Sequence, residues 1–420
     1  MTSLARNAVL LAFEGPDPYS TIGGLGTRVT ELGAALAGAG VRTTLLFVGD
    51  PSRPAVERPV PNLEYRRWCQ WISAYYPGSV YDGEGDKMND FTVSVPPFVV
   101  ESIVEPAAAS GEQVLVIAED WQTAPCVIGL DALLRERGLR DRAMLTWNAN
   151  NTYGFDTVDW NALVQAAQIT CVSRYMKFEL QERGVESLVI PNGIPERLLD
   201  GAPKKLMRAA QRAFKARRPL YVKVARFEEE KRWMQAVEAF AGIAAAHRNA
   251  TLVVRGGREA YGEAVFARAR ELGLEVHDLV IGSHQPEMTI EAIASAPGGV
   301  INIRSFVPEE ALLALYRIAD AVLANSGREP FGLVGLEVMA AGGIAVTGST
   351  GEDYVQPFEN AIACDTGDSR ELQTYLSELV ANPELACAIR EGGESTAKRY
   401  TWPRVLKLLV RRLRFVNLSS

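Results

Sequence analysis

The stretch from Asn325 to Glu352, NSGREPFGLVGLEVMAAGGIAVTGSTGE, restricts the fold more than any other part of the chain. The apolar run Ala321 to Ala324 ends in Ser326 and Gly327, and Leu333 to Ala341 repeats apolar residues every three or four positions, the period of a helix. The sequence therefore predicts strand, turn and helix. In open α/β sheets ligands bind outside the carboxyl ends of strands, so Glu329 falls at a cleft edge. Phe331, Gly332 and Leu333 stand at the helix start, where backbone N–H groups can face an anion. A second apolar run, Ile344 to Thr347, feeds into Gly348, Ser349, Thr350 and Gly351, whose small residues let the backbone approach a phosphate closely. The two strand ends are expected to line one pocket.

Glu329 and Glu337 stand out within that pocket, with seven residues between them. A carboxylate accepts hydrogen bonds from sugar or ribose hydroxyls, and nearby cations limit the cost of burying its charge. Each acid taken alone reads more readily as a surface residue that the helix dipole favours than as a site residue. The spacing, together with the EPFG turn and the STG loop, favours a site. Arg226 and Lys231, in the stretch ARFEEEK, follow the first strand of the second half and are candidates to hold a diphosphate and steady it as it leaves. A charged turn capping a helix is the plainer alternative for this pair.

A length of 420 residues with 47% hydrophobic and 23% charged side chains suits two substantial cores. A net charge of -7 argues against a nucleic-acid partner, which needs a basic face. The five cysteines are odd in number and lack CxxC spacing, so neither a disulfide framework nor a zinc site is expected, and a cytoplasmic location is. The opening apolar run, Ala8 to Phe13, is too short for a signal segment or membrane helix and predicts the first strand. It leads to YSTIGGLG, a helix over Thr27 to Ala39 and a strand over Val41 to Val48, which make one βαβ unit. GGLG is not the dinucleotide-binding fingerprint, and a tight turn is its plain reading. Its place after the first strand strengthens Gly23, Gly24, Leu25 and Gly26 as a candidate binding loop. Further strands are predicted at Val114 to Ala118, Met144 to Trp147, Ile169 to Val172 and Leu188 to Ile190. A basic stretch between Pro203 and Pro219 reads as a solvated linker helix, after which Leu220 to Val224 opens a second α/β alternation. The expected domains are 1–200 and 216–400.

On these motifs the chain resembles the retaining GT-B glycosyltransferases, particularly the bacterial glycogen and starch synthases and the wider family 4, over nearly its whole length. GGLG at Gly23 to Gly26 is similar to their N-terminal donor loop, and EDWQTAP at Glu119 to Pro125 to their HDWQT segment. CVSRYM and IPNGI, at Cys171 to Met176 and Ile190 to Ile194, are similar to elements that close the first domain. The resemblance implies an α/β, GT-B architecture: two Rossmann-like doubly wound domains facing a central cleft, with a helix over about 402–420 crossing back to the first. It implies Arg226 and Lys231 at the diphosphate, Glu329 at the transferred sugar and Glu337 at the nucleotide ribose. Thr21 and Ile22 replace a lysine before the glycine loop, Glu119 replaces the histidine of HDWQT, and Trp147 to Asn151 replace the VHN segment. These departures favour a transferase with its own acceptor over an ADP-glucose glucan polymerase.

The three histidines, His247, His277 and His284, all fall in the second half, so the first half lacks the usual acceptor-side base of an inverting enzyme. Asp120 or Glu119 could substitute, but a retaining transfer of a hexose, with glucose the leading candidate, fits better. The donor would be a nucleoside-diphosphate sugar and the acceptor a sugar or glycoside. No cofactor and no metal are expected, two cations serving the diphosphate. Asn148, Asn150, Asn151 and Tyr153 are candidate acceptor contacts. Trp68, Trp71, Tyr75, Tyr76 and Tyr81 could stack on sugar rings, with packing in the core or a loop the favoured role. Glucan elongation, sugar-nucleotide epimerisation and non-catalytic nucleotide-sugar sensing are the competing readings.

Overall fold

The computed structural model describes residues 5–417. The chain divides into two compact units, the first comprising Met1–Pro195 with Thr401–Ser420 and the second Glu196–Tyr400. The basic stretch after Pro203 therefore lies within the second unit. Its helix, Lys204–Ala213, buries Leu206 and Ala210, and Phe214 just beyond it is fully buried, so it is a packed element and not a solvated linker.

In the first unit the strands are β1 (Asn7–Leu11), β2 (Arg42–Val48), β3 (Val56–Val60), β4 (Leu63–Trp68), β5 (Val114–Glu119), β6 (Ala143–Ala149), β7 (Gln168–Cys171) and β8 (Leu188–Val189). They form one sheet in the order β3-β4-β2-β1-β5-β6-β7-β8, parallel except for the β3–β4 pair. The central strands β1 and β5 are buried throughout, which is why they read as unbroken apolar runs without alternation. β3 and β4 lie at the edge, and their mixed sequence VERPV and LEYRRW gave no comparable signal.

The helix predicted from Thr27 begins at Gly24, so Gly24, Leu25 and Gly26 form its first turn and Gly23 caps it. Its Val29, Leu32 and Leu36 pack with Leu10, Leu45 and Phe47. Trp402, Leu406, Leu409 and Leu413 of the C-terminal helix Trp402–Asn417 join the same core, and Arg404, Lys407 and Arg411 face outward. The sequence expectation for that helix ran to 420, and 418–420 lie outside the described residues. A long helix, Glu84–Val99, was not foreseen; past Pro96 and Pro97 it continues as a π-helical turn over Val100–Val104. Such a turn is one way a helix absorbs the hydrogen bonds that prolines remove.

The second unit has β9 (Leu220–Val224), β10 (Thr251–Arg255), β11 (Val276–Leu279), β12 (Gly299–Ile303), β13 (Ala321–Ala324), β14 (Ala345–Thr347) and β15 (Ile362–Ala363). Their order is β11-β12-β10-β9-β13-β14-β15, all parallel. In each sheet the strand order reverses beside the first strand of the unit, between β1 and β5 and between β9 and β13. Those two points are where open sheets of this kind take ligands. They lie at the carboxyl ends that carry Glu14, Glu119 and Asp120 in one unit, and Arg226, Lys231 and Glu329 in the other.

Candidate functional site

In the second unit, the turn after β9 and the loop after β13 meet. Lys231 Nζ lies 2.6 Å from Glu329 Oε2, and both side chains are about four-fifths buried, at 19% and 20% exposure. The two loops are joined by their backbones as well, since the Gly327 N–H donates to Glu230 O at 2.6 Å. The STG loop closes on the same turn. Thr350 Oγ1 accepts from the Glu329 N–H at 2.8 Å and donates to Glu329 O at 3.2 Å. Gly351 has to be glycine, because a Cβ there would lie 2.2 Å from the carbonyl oxygens of Glu329 and Pro330. Lys231, Glu329, Thr350 and Gly351 are thus brought together as the sequence suggested.

Other members of the expected set stand differently. Arg226 pairs with Glu228, NH1 to Oε1 at 2.8 Å, and stays 44% exposed. Phe331 is buried against Tyr354 and Tyr400, so its ring belongs to the core and only its backbone could serve a ligand. Gly332 caps the helix Leu333–Ala340 in a left-handed conformation, φ +77°. Its carbonyl accepts from the Tyr354 hydroxyl at 2.5 Å. Glu337 sits half-buried in that helix, and Ser349 is exposed.

Four buried polar residues around this site were missed. Lys223 Nζ donates to Asn325 Oδ1 at 2.6 Å and to Leu323 O at 3.2 Å, and Asn325 Nδ2 donates to Gln235 Oε1 at 2.8 Å. A lysine inside the apolar strand LYVKV was the available signal. Burial, and next the charge of Lys231, pulls the Lys223 amine down to about 7. Glu352, adjoining the STG loop, accepts from the Thr350 N–H at 3.1 Å. Burial, and next the Glu329 charge, pushes its carboxyl up to about 7.

A raised carboxyl favours the protonated folded state. The stability that Glu352 contributes is therefore complete below the unfolded value near 4.5 and is lost as pH rises through about 7. Lys223 works in the opposite window, its contribution falling as pH drops from 10.5 towards 7. Glu352→Gln, neutral at every pH, is expected to flatten the fall in melting temperature between pH 4.5 and 7. Thermal melts across that range check this, and a slope equal to wild type would sink it.

The first unit holds a separate polar cluster at the ends of β1, β5 and β6. Glu119 is fully buried. It accepts from Arg28 Nε at 3.1 Å, Asn148 Nδ2 at 2.9 Å and Asn150 Nδ2 at 2.6 Å, and the Arg28 guanidinium also bonds Asn192 Oδ1. Expected among the catalytic groups, Glu119 is held on every side by donors of its own unit. Asp120 adopts φ +61°, a conformation that stores strain in a residue with a side chain. Its carboxylate accepts from the Asn150 N–H at 2.8 Å and from Asn151 Nδ2 at 2.8 Å. Burial and then the neighbouring Glu119 charge raise it to about 7.

The asparagines expected to face an acceptor are consequently committed elsewhere. Asn148 spends Nδ2 on Glu119 and on Asn150 Oδ1, and Asn150 spends its Nδ2 on both carboxylates. Tyr153, its N–H bonded to Asn151 Oδ1, is left 66% exposed beside them. The glycine loop also differs from expectation. The N–H groups of Ile22, Gly23 and Gly26 all donate to Glu14 Oε2, at 3.2, 3.1 and 3.0 Å. The chain's own carboxylate thus takes the Gly23 and Gly26 N–H groups, two of the four that Gly23 to Gly26 were expected to offer a donor phosphate. Glu14, just beyond the first strand, was the residue to have weighed. Of the aromatic stretch, Trp68 and Tyr81 pack, but Trp71 and Tyr75 are 65% and 79% exposed, contrary to the packing role favoured for them.

Residues 208–396 match the family of glycosyl transferases group 1. A D-inositol 3-phosphate glycosyltransferase of Corynebacterium jeikeium is 34% identical over 97 residues, 23% of each chain. Another, of Saccharomonospora viridis, is 27% identical over 134 residues, 31% of each. The matches thus span less than a third of these curated relatives. Among solved structures, sucrose-phosphate synthase from Thermosynechococcus elongatus superposes with a TM-score of 0.70 at 19% identity, covering 99% of this chain and 100% of that one. The catalytic domain of starch synthase IV from Arabidopsis thaliana, bound to ADP and acarbose, gives 0.65 at 16% identity over 96% and 100%. Anabaena HepE in complex with UDP and glucose gives 0.62 at 14% over 98% and 99%. The fold is that of the GT-B glycosyltransferases. Within that fold, residues 208–396 are the part that is similar to the glycosyl transferases group 1 family.

Proposed function

We propose that this chain is a retaining glycosyltransferase that moves a hexose, with glucose the leading candidate, from a nucleoside-diphosphate sugar to a sugar or glycoside acceptor. The observation that carries this reading is the Lys231–Glu329 pair at 2.6 Å, clasped by Thr350 at the carboxyl ends of β9, β13 and β14. Lys231, with Arg226 beside it in sequence, would neutralise the diphosphate as the glycosidic bond to the sugar breaks. Glu329 would accept from hydroxyls of the transferred sugar and Glu337 from the ribose. The acceptor hydroxyl attacks on the face the diphosphate leaves, and the leaving oxygen takes its proton. Cationic side chains at the leaving group make a metal unnecessary in this scheme, and no cofactor is invoked. No helix among the described residues is long and apolar enough to cross a membrane, and we place the enzyme in the cytoplasm.

Names and contents of the similar proteins support the reading: glycosyltransferases among the relatives, and UDP with glucose or ADP bound in two structural neighbours. The test is nucleoside diphosphate release from ADP-, UDP- and GDP-sugars with mixed acceptors, comparing wild type with Glu329→Ala. Release by wild type and its loss in the variant are expected. Tight donor binding without release from any donor would overturn the reading in favour of a sensor.

A further inference from the structure

The first unit has a group of hydrogen-bond acceptors that the donor chemistry above leaves unused. Glu14 and Gln122 are buried, at 4% and 5% exposure, and Glu84 and Tyr81 are partly open. Tyr81 ties them together. Its hydroxyl donates to Glu14 Oε1 at 2.6 Å and its carbonyl accepts from the Glu84 N–H at 3.2 Å; burial, and next the Glu14 charge, push the phenol well above its ordinary value and keep it a donor. Gln122 follows Asp120 by two residues and donates from Nε2 to Glu84 Oε1 at 3.0 Å. Its Oε1 is buried and has no partner among the described residues. An acceptor enclosed without a donor is costly, which makes this oxygen a place for a ligand that brings one.

Cations that might draw an anion here are already engaged. Arg28 is held by Glu119 and Asn192, and Lys87, fully buried, donates to Tyr19 Oη and to the carbonyls of Ser79, Val80 and Asp82. At the start of the first helix, where a phosphate would be drawn, Glu14 already takes the Gly23 and Gly26 N–H groups and sets a negative charge. We infer that Glu14, Tyr81, Glu84 and Gln122 form a subsite for an unphosphorylated polyhydroxyl acceptor, a free sugar or polyol, and that the same carboxylates turn away its phosphate ester. A hydroxyl donates to Gln122 Oε1 and to the open Glu84 carboxylate; a phosphate dianion has no proton to give and meets like charge. Tyr153, exposed beside the asparagines that hold Asp120, offers a ring face to the apolar side of a sugar. This deepens the transferase reading by naming the acceptor class.

The test is binding, so it does not depend on turnover. Saturation-transfer NMR on the full chain compares glucose with glucose 6-phosphate, and myo-inositol with its 3-phosphate, at fixed ionic strength, with UDP and ADP as probes of the other unit. The free member of each pair is expected to bind at least about tenfold more tightly, the effect of roughly one lost buried hydrogen bond. Gln122→Leu is expected to weaken the free member about tenfold and leave nucleotide binding unchanged, and Glu84→Lys to shift the preference towards the ester. Equal or tighter binding of the esters by wild type would overturn the subsite. So would binding of nucleotide but of neither member of any pair, an outcome that leaves the donor reading standing. If Gln122→Leu fails to fold by circular dichroism, the wild-type comparison still decides.

Discussion

Lys231→Ala is expected to lower turnover by about 10²–10³-fold, the usual loss when one preorganised partner of developing charge is removed. The amine is placed by its own turn. Arg232 takes a left-handed conformation, φ +48°, its guanidinium donates to Thr366 O at 2.8 Å, and the buried Lys223–Asn325–Gln235 bonds lie directly beneath. In the proposed mechanism Lys231 would need no reorganisation to meet a diphosphate beyond exchanging part of its contact with Glu329. If its main service is to the leaving group, kcat falls and the donor KM changes little; a purely ground-state contact would raise KM at constant kcat. Lys231→Arg keeps the charge on a larger planar group and should recover only part of the loss. Steady-state kinetics of the two variants with a fixed acceptor decide the matter, and near-wild-type turnover in Lys231→Ala would remove the residue from the mechanism.

Much of the second unit was legible because its motif residues lie close in sequence to strand ends. Ala321 to Ala324 and Thr251 to Arg255 are strands with the bounds that their apolar runs suggested, and parallel strands buried on both faces advertise themselves in this way. Lys231 and Glu329 met as expected because β9 and β13 are neighbours, with Val322 opposite Val222 in the register. Harder to read was what each polar side chain does after folding. Asn148, Asn150 and Asn151 look identical to free ligand contacts in sequence, yet two buried carboxylates claim their donors, a pairing fixed by β5 lying beside β6. Glu14 gave no motif, and its role depends on the helix starting at Gly24 so that several N–H groups converge on one oxygen. Glu352 and Lys223 acquire their shifted ionisation from burial, which composition around them only hints at.

Glu119→Ala is expected to destabilise the first unit by about 3–5 kcal/mol, the range seen when one partner of a buried ion pair is removed. The change leaves the Arg28 guanidinium, whose side chain is 5% exposed, without its carboxylate, and takes one acceptor each from the buried Asn148 amide and the half-buried Asn150 amide. A guanidinium stays charged in proteins, so the cost falls on folding. Urea unfolding followed by circular dichroism measures it, and a loss under about 1 kcal/mol would show that water reaches the site freely. The joint replacement Arg28→Met with Glu119→Leu removes both charges and should recover most of the loss, since apolar pairs of similar volume often match or exceed a buried ion pair. Glu119→Gln keeps the shape and one acceptor oxygen while removing the charge that, after burial itself, most raises Asp120 among its charged neighbours. In that variant the part of the stability loss that Asp120 causes as pH rises towards 7 should move to lower pH, because a carboxyl freed of a like charge ionises more readily. A structural Glu119 with no electrostatic hold on Asp120 would leave that pH profile where it is, so the same variant separates the packing of this cluster from its charge coupling.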